Sequence, residues 1–319
     1  MTIRGSTAAN LRRAIPAYVL LLLLIVITAL ASPVFTSERN FVNIVRQSAP
    51  LALVSLGQMF ALILAGIDLS IGSVVSLTTV ILSFTGAQGT LPFAIGIAIA
   101  LAAGVGVGLI NGMGVVFLRI HPLLMTLGTM AVVKGVALFI RGSPGGSVYA
   151  PFARFLNQHV GPVVYVGILV VAVYLAVWVM LSFTRVGRAL YATGNDPESA
   201  RRSGIRTTQI TILGYVLASL FGTLAGIVLA ARIYSGDALI GDTYSLDSVA
   251  AGIIGGASLF GGVGSVIGTF AGAILLAIIN NILNLLNVYS YYQYIAKALI
   301  LFGALIVASL RERGSRRAS

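Results

Sequence analysis

Residues 184–208 read TRVGRALYATGNDPESARRSGIRTT and separate two long apolar runs. Asp196 is a strong helix N-cap, because its carboxylate can accept from backbone N–H groups that have no partner within the helix. Pro197 suits the first helical position, and Gly204 can take the left-handed conformation that ends a helix. The pattern predicts a helix of about two turns from Pro197 to Ser203, which is too short and too charged to span a bilayer.

The charges of this helix follow its dipole. Glu198 lies near the positive end, and Arg201 and Arg202 lie near the negative end. The stretch also contains Arg185, Arg188 and Arg206. A capped, amphiphilic helix of this kind is either a solvated loop helix or an element that a partner binds outside the membrane.

The composition indicates a polytopic membrane protein. The 319 residues are 58% hydrophobic and only 9% charged, with a mean hydropathy of +1.02, which leaves too little polar surface for a soluble domain of this size. The absence of cysteine excludes disulfides, thiolate catalysis and cysteine-based metal sites. The net charge of +12 comes from arginines at segment ends rather than from a basic stripe with aromatic residues, so nucleic-acid binding is excluded.

Ten apolar segments predict an all-α fold with about ten transmembrane segments, some of them short or broken. They cover residues 14–31, 48–65, 70–85, 92–117, 121–140, 162–183, 209–231, 247–260, 265–287 and 294–310. The first is too long for a usual signal-peptide core, so we interpret it as an uncleaved helix rather than a leader. The short segment 247–260 holds Gly255 and Gly256, which fit either a broken helix that lines a cavity or an ordinary tilted helix.

The basic residues predict the orientation. With a cytoplasmic N-terminus, thirteen arginines fall on the inner side and five on the outer side, as positively charged inner loops require. Both termini are then cytoplasmic. Lys134 and Lys297 lie within segments, near their outer ends, and snorkelling to the interface is the favoured interpretation over a role in transport. Asp247 is a candidate N-cap for the helix that follows it.

The stretch AGIDLSIGS, residues 65–73, interrupts two apolar runs. Asp68 is a carboxylate embedded in apolar sequence, so it must be paired, capped or hydrated. In one interpretation Asp68 caps the helix that begins near Leu69. In the other, the break lies near the solute path, and Asp68 or Ser70 touches the solute.

At these residues the chain resembles the ribose-type permease subunits of ABC importers, which carry GIDLSVGS or a close variant. Residues 184–205 resemble the R-x-G-R…A-x-G-N…A…GI loop of that family, and LDSVAAGIIGGASLFGGVGSVIG, residues 246–268, resembles another of its motifs. A C-terminal YYQ…KA pattern at 291–298 also agrees. The resemblance covers about residues 40–310, and Arg201-Arg202 departs from the small or apolar residues that many relatives have there.

The resemblance implies a single transmembrane permease domain over residues 1–319, multi-pass in the cell (inner) membrane and surrounded by lipid. Its implied partners are a second permease copy or a sister permease, a cytoplasmic ATPase subunit that binds ATP and Mg, and a periplasmic or surface solute-binding protein. Loop 184–208 would hold the coupling helix that contacts the ATPase, through Asn195, Asp196, Pro197, Glu198, Ala200, Arg201, Ser203, Gly204 and Ile205.

The expected function is alternating-access import of a ribose-like pentose or similar monosaccharide. Candidate residues of the substrate path are Asp68, Ser70, Gly255, Gly256, Ser258 and Phe260. No catalytic residue, metal site or cofactor is expected in this chain, because no phosphate-binding loop or carboxylate pair can be assembled from the sequence. The alternatives are an ion-coupled secondary carrier, an ABC permease for a non-sugar solute such as a nucleoside, and a membrane enzyme.

Overall fold

The computed structural model describes residues 3–289, 291–293, 295, 298–299 and 302–303. Besides a 3₁₀ turn at Gly86–Gln88, twelve α-helices and one short hairpin make up the bounded elements of this part of the chain. They are α1 (Ile3–Ala31), α2 (Glu38–Ile63), α3 (Ser70–Thr85), α4 (Thr90–Phe117), α5 (Pro122–Ile140), α6 (Ala150–Asn157), β1 (His159–Val160), β2 (Val163–Val164), α7 (Tyr165–Phe183), α8 (Arg185–Asn195), α9 (Pro197–Arg202), α10 (Thr207–Ile233), α11 (Asp242–Ile254) and α12 (Val266–Leu285).

Helix α2 forms the centre of the bundle. It packs against α10, α11 and α12, and every residue from Ser48 to Ile63 is buried. Three polar side chains lie within this buried length: Ser48, Ser55 and Gln58. The predicted segment 48–65 therefore corresponds to α2, although the helix begins ten residues earlier, where the Ser37 side chain accepts from the backbone N–H of Asn40.

Glycines allow α4 and α10 to cross closely. A Cβ on Gly104 would lie 2.1 Å from the Thr223 hydroxyl oxygen, and one on Gly112 would lie 2.7 Å from the Ile212 Cα. A Cβ on Gly108 would likewise lie 2.5 Å from the Val216 Cα of α10. Their spacing of four residues places all three on one face, which is how small residues bring membrane helices together.

Five described helices are long and apolar enough to cross a membrane: α4, α5, α7, α10 and α12. Residues 15–30 of α1 and the whole of α3 are apolar but shorter. The predicted all-α, multi-pass architecture is confirmed, while the count of ten crossings and the position of the termini stay predictions. The predicted segment 294–310 falls largely outside the described residues, as does Lys297.

The segment after α10 departs from the prediction. Residues 234–241, which we call the re-entrant segment, run along α3. Gly236 lies against Ser83, the backbone N–H of Asp237 donates to the Thr79 hydroxyl at 3.2 Å, and that of Gly241 donates to the Ser76 hydroxyl at 2.8 Å. Helix α11 therefore starts level with the middle of α3. Asp247 does not cap α11, which begins at Asp242 and has Gly241 as its N-cap.

Lys134 has a partner within the protein. Its ammonium group donates to the Asp242 carboxylate at 2.5 Å, which joins α5 to the start of α11. Snorkelling of Lys134 stays a prediction, and the ion pair is a contact that the sequence did not reveal. The reason is tertiary, because Asp242 lies 108 positions away in the chain.

Candidate functional site

The predicted helix within residues 184–208 is α9. The Asp196 carboxylate accepts from the backbone N–H groups of Glu198 and Ser199 at 3.0 and 3.2 Å, and Pro197 takes the first turn. The Ser199 hydroxyl also donates to Asp196, and hydrogen bonds from the Ser199 hydroxyl and backbone hold the pKa of Asp196 below its usual range. The predicted N-cap is confirmed.

The C-terminus of α9 also has complete hydrogen bonding. Ser203 is the C-cap residue, and Gly204 follows with a φ of +82°. Gly204 donates to the Arg201 carbonyl at 2.9 Å, and Ile205 donates to the Ala200 carbonyl at 3.1 Å. This pair of bonds is a Schellman motif, in which a left-handed glycine closes the last turn. Helix α9 is therefore fixed at both ends by its own sequence.

The outer surface of α9 is charged and open to solvent. Glu198 pairs with Arg201 at 2.7 Å and with Arg202 at 3.2 Å, and all three side chains are more than half exposed. Such pairs add little stability. Ala200 is the buried side chain of α9. The charged side chains of the helix therefore face outward, and one small residue packs against the rest of the protein. Asn195, the last residue of α8, is exposed beside it.

Helix α8 anchors α9 to the bundle. Thr184 caps α8, and Gly187, Leu190, Thr193 and Gly194 are buried against its neighbours. The Tyr191 hydroxyl donates to the Gly264 carbonyl at 2.7 Å. The α8–α9 arm is thus held by the loop between α11 and α12 as well as by the helices around it.

The closest contact of this arm is a glycine junction formed by Gly194, Gly261, Gly262 and Ile63. The Gly262 N–H donates to the Ile63 carbonyl at 2.8 Å. A Cβ on Gly194 would lie 1.7 Å from that same carbonyl oxygen, and one on Gly261 would lie 2.4 Å from the Gly194 oxygen. The backbones of α8, the end of α2 and the loop after α11 therefore touch without side chains between them.

The candidate path residues after α11 lie near this junction. Helix α11 ends in a second Schellman motif, in which Gly256 has a φ of +90° and Ala257 donates to the Gly252 carbonyl at 2.9 Å. Gly255 packs against the backbone of Gly268 in α12. The predicted segment 247–260 is therefore not one continuous helix, because α11 ends at Ile254.

The following loop carries the remaining candidates. Ser258 donates its N–H to the Val263 carbonyl, and Phe260 is exposed. A Cβ on Gly261 would lie 2.9 Å from the Ala65 Cβ, three residues before Asp68. This contact links the loop to the stretch that precedes α3.

Asp68 is fully buried at the start of α3. Its Oδ1 accepts from the Ser70 backbone N–H at 2.9 Å and from the Ser70 hydroxyl at 2.5 Å. The helix itself begins at Ser70, and its N-cap residue is Leu69, so the predicted cap position is wrong by one residue. Asp68 still provides the carboxylate that accepts from the first turn.

Two residues that sequence reasoning missed complete this polar cluster. The Asn111 amide of α4 donates to the Ser70 hydroxyl at 2.8 Å. The Gln58 amide of α2, suitably oriented, pairs with the Asp68 backbone at 2.9 and 3.1 Å. Within the described residues, Asp68 Oδ2 and Asn111 Oδ1 are buried without a hydrogen-bond partner. A polar amide inside an apolar run was the signal that could have identified both residues.

The comparisons with known proteins agree with this architecture. The family model described as "Branched-chain amino acid transport system / permease component" matches residues 40–310. The chain belongs to this family of transport permeases. The permease is therefore a multi-pass membrane protein, and its resemblance to ribose-type permeases of ABC importers is confirmed.

Individual relatives match over nearly their whole length. The permease is 36% identical to the ribose import permease protein RbsC of Escherichia coli (strain K12) over 302 residues, which cover 92% of each chain. It is 34% identical to RbsC of Bacillus subtilis (strain 168) over 290 residues, 90% of each chain. It is also 34% identical to the galactose/methyl galactoside import permease protein MglC of Escherichia coli (strain K12), over 92% of this chain and 93% of the relative. No solved structure matches the permease.

Proposed function

We propose that the permease is the membrane-embedded subunit of an ATP-driven importer for a monosaccharide, a ribose-like pentose or a similar sugar. A solute-binding protein outside the membrane delivers the sugar. A cytoplasmic ATPase subunit binds ATP and Mg and drives the transport, while this chain performs no covalent chemistry. A second copy of the permease, or a sister permease, provides the other half of the pathway.

The observation that carries this proposal is the α8–α9 arm. Helix α9 has both ends closed by hydrogen bonds, exposes Glu198, Arg201 and Arg202, and is tied to the bundle through direct backbone contacts. An element that transmits a displacement must be stiff and must touch the part that moves. The arm meets both conditions, because the glycine junction connects it to the end of α2 and to the loop after α11.

The mechanism is alternating access. ATP binding draws the two ATPase domains together, and each α9 moves with the surface on which it docks. The glycine junction passes that movement to the end of α2 and to α11. The pathway then opens outward, receives the sugar from the binding protein, and returns to the inward-open state after hydrolysis. Asp68, Ser70, Gly255, Gly256, Ser258 and Phe260 remain the candidate residues of the path.

The names of the relatives support a sugar as the solute, since three of them are ribose and galactose import permeases. The topology that fits the proposal has ten crossings in the cell (inner) membrane, with both termini and α9 in the cytoplasm. The arginines of the α8–α9 arm agree with this orientation.

The test is transport by the reconstituted complex. The permease is placed in proteoliposomes with its ATPase and binding protein, and uptake of labelled ribose, galactose and a nucleoside is measured with and without internal ATP. We expect sugar uptake that requires ATP and the binding protein. Preferential uptake of the nucleoside would show that the solute is not a sugar. Uptake without ATP would overturn the proposal of an ATP-driven importer.

An ion-coupled carrier is the second candidate, and the buried Asp68 carboxylate with its unpartnered Oδ2 favours it. A carrier of this kind uses an intramembrane carboxyl group as a proton or sodium relay. The same proteoliposomes decide between the two, because a proton or sodium ionophore abolishes uptake coupled to that ion and leaves ATP-driven uptake unchanged.

A further inference from the structure

The Lys134–Asp242 ion pair joins α5, a helix long and apolar enough to cross a membrane, to the start of α11 and is partly open to the surroundings. Lys134 is followed by six helical residues before α5 ends, a length of about 9 Å. Asp242 begins α11 at the level of Ser76, near the middle of α3. The side chains of Lys134 and Asp242 are 34% and 43% exposed.

A lipid environment does not suit this arrangement. Charged side chains in transmembrane segments face a bundle interior or a water-filled cavity, because hydrocarbon solvates them poorly. The re-entrant segment gives a second, independent argument. Its backbone is not helical, and non-helical backbone at membrane depth occurs only where protein covers it or where it lines water. Leu239 of this segment is 48% exposed, so protein of this chain does not cover it completely.

We propose that the ion pair and the re-entrant segment line the water-filled solute path, and that Lys134 and Asp242 bind hydroxyl groups of the passing sugar. This inference rests on the proposed import of a monosaccharide. It places the outer half of the path along the exposed face of α5 and the start of α11.

The chemistry of the pair suits a neutral polyol. An ammonium group has three donors and a carboxylate has two acceptor oxygens, so a pair joined through one N–H and Oδ2 can still bind hydroxyls. Hydrogen bonds to charged groups are stronger than those between neutral groups. Because the two charges balance, the path attracts neither anions nor cations strongly and favours an uncharged solute.

Cysteine accessibility tests whether water reaches the exposed face of α5 and the start of α11. The natural chain contains no cysteine, so Leu246→Cys introduces a single thiol one turn after Asp242 at a side chain that is 56% exposed. The matched control is Val171→Cys, 48% exposed on α7 in a groove lined by apolar side chains. We expect a charged, membrane-impermeant methanethiosulfonate reagent to modify Leu246→Cys and not Val171→Cys, and saturating sugar with binding protein and ATP to slow the modification. An unmodified Leu246→Cys would overturn the inference, whether lipid or a second permease covers the face.

Neutralising both partners tests the contact with solute. The double variant Lys134→Met with Asp242→Asn leaves no lone charge, so a purely structural pair would be replaced without loss of transport. We expect sugar uptake to fall by about tenfold or more, because charge-assisted hydrogen bonds are lost. The ATPase activity stimulated by the binding protein should persist, and Lys134→Arg should keep most of the uptake. Uptake by the double variant at the wild-type rate would refute the role in solute binding.

The two proposals fail in different ways. If the wild-type complex shows no ATP-driven sugar uptake, the proposed function fails. If the wild type transports sugar but Leu246→Cys stays unmodified or the double variant transports normally, only the inference about the path fails.

Discussion

The glycine junction makes a sharp prediction for Gly194→Ala. The new Cβ would lie 1.7 Å from the Ile63 carbonyl oxygen, 2.7 Å from the Ile63 carbonyl carbon and 3.0 Å from the Gly262 nitrogen. All three atoms belong to backbone, so no side chain can rotate to make room. The α8–α9 arm must therefore move away from α2 by about 1.3 Å to reach a tolerable contact distance.

The cost of that movement can be estimated from its two parts. Overpacking of this kind costs about 1–3 kcal/mol. The new Cβ would also crowd the hydrogen bond from the Gly262 N–H to the Ile63 carbonyl. Loss of that bond would leave a buried donor unsatisfied, which adds about 1–3 kcal/mol. The total of roughly 2–6 kcal/mol is too small to prevent insertion of the apolar spans and large enough to displace the arm.

The assay is the ratio of sugar imported to ATP hydrolysed in proteoliposomes. We expect Gly194→Ala to assemble with the ATPase, to hydrolyse ATP and to import at least about tenfold less sugar per ATP, as a displaced arm transmits less of its movement. Gly106→Ala is the control, because a Cβ there meets no atom within 4 Å. If Gly194→Ala imports sugar at the wild-type ratio, the junction does not transmit the movement and the reasoning fails.

Four further predictions concern the ends of α9 and the Asp68 cluster. Asp196→Ala removes the N-terminal acceptor and should reduce sugar imported per ATP by roughly twofold or more, whereas Asp196→Asn, which still accepts, should retain coupling; equal uptake by both variants would contradict this. The lowered pKa of Asp196 means that its contribution to α9 is present above its unfolded pKa and is lost as the pH falls through the lowered value, which amide exchange of Ser199 should detect. Gly204→Pro is incompatible with a φ of +82° and adds about 1–3 kcal/mol of strain, so it should uncouple transport, while Gly204→Asn, which tolerates the left-handed region, should not. Asp68→Asn keeps the acceptor for the first turn of α3 and should transport at a near-normal rate, and loss of uptake in an assembled complex would assign Asp68 to the solute path or to an ion relay.

The sequence predicted the features that neighbouring residues determine. The caps of α9 come from Asp196, Pro197 and Gly204, which act on backbone within a few positions, so their chemistry could be read directly. The bounds of α3 at residues 70 and 85 also agree with the prediction, and the polar break at Asp68 is a local signal for the start of the helix.

The features that the sequence did not predict depend on distant partners. Lys134 meets Asp242 and Asn111 meets Ser70 only because α5, α11, α4 and α3 pack together. The start of α11 at Asp242 is fixed by contacts with α3, which no local pattern records. The glycine junction likewise joins Ile63, Gly194 and Gly262 across three separate parts of the chain, so glycine content alone could not locate it.

The burial of α2 has a consequence for biosynthesis. Its helix neighbour α10 begins about 140 residues later in the chain, and the ribosome delivers the N-terminal part first. The Ser48 and Ser55 hydroxyls donate to the Val45 and Leu51 carbonyls of α2 itself, but most of the buried length of α2 is covered only when α10, α11 and α12 arrive. Helix α2 therefore gains most of its packing only when the second half of the chain has been made, so truncation after α7 should leave its buried length facing lipid or the insertion machinery.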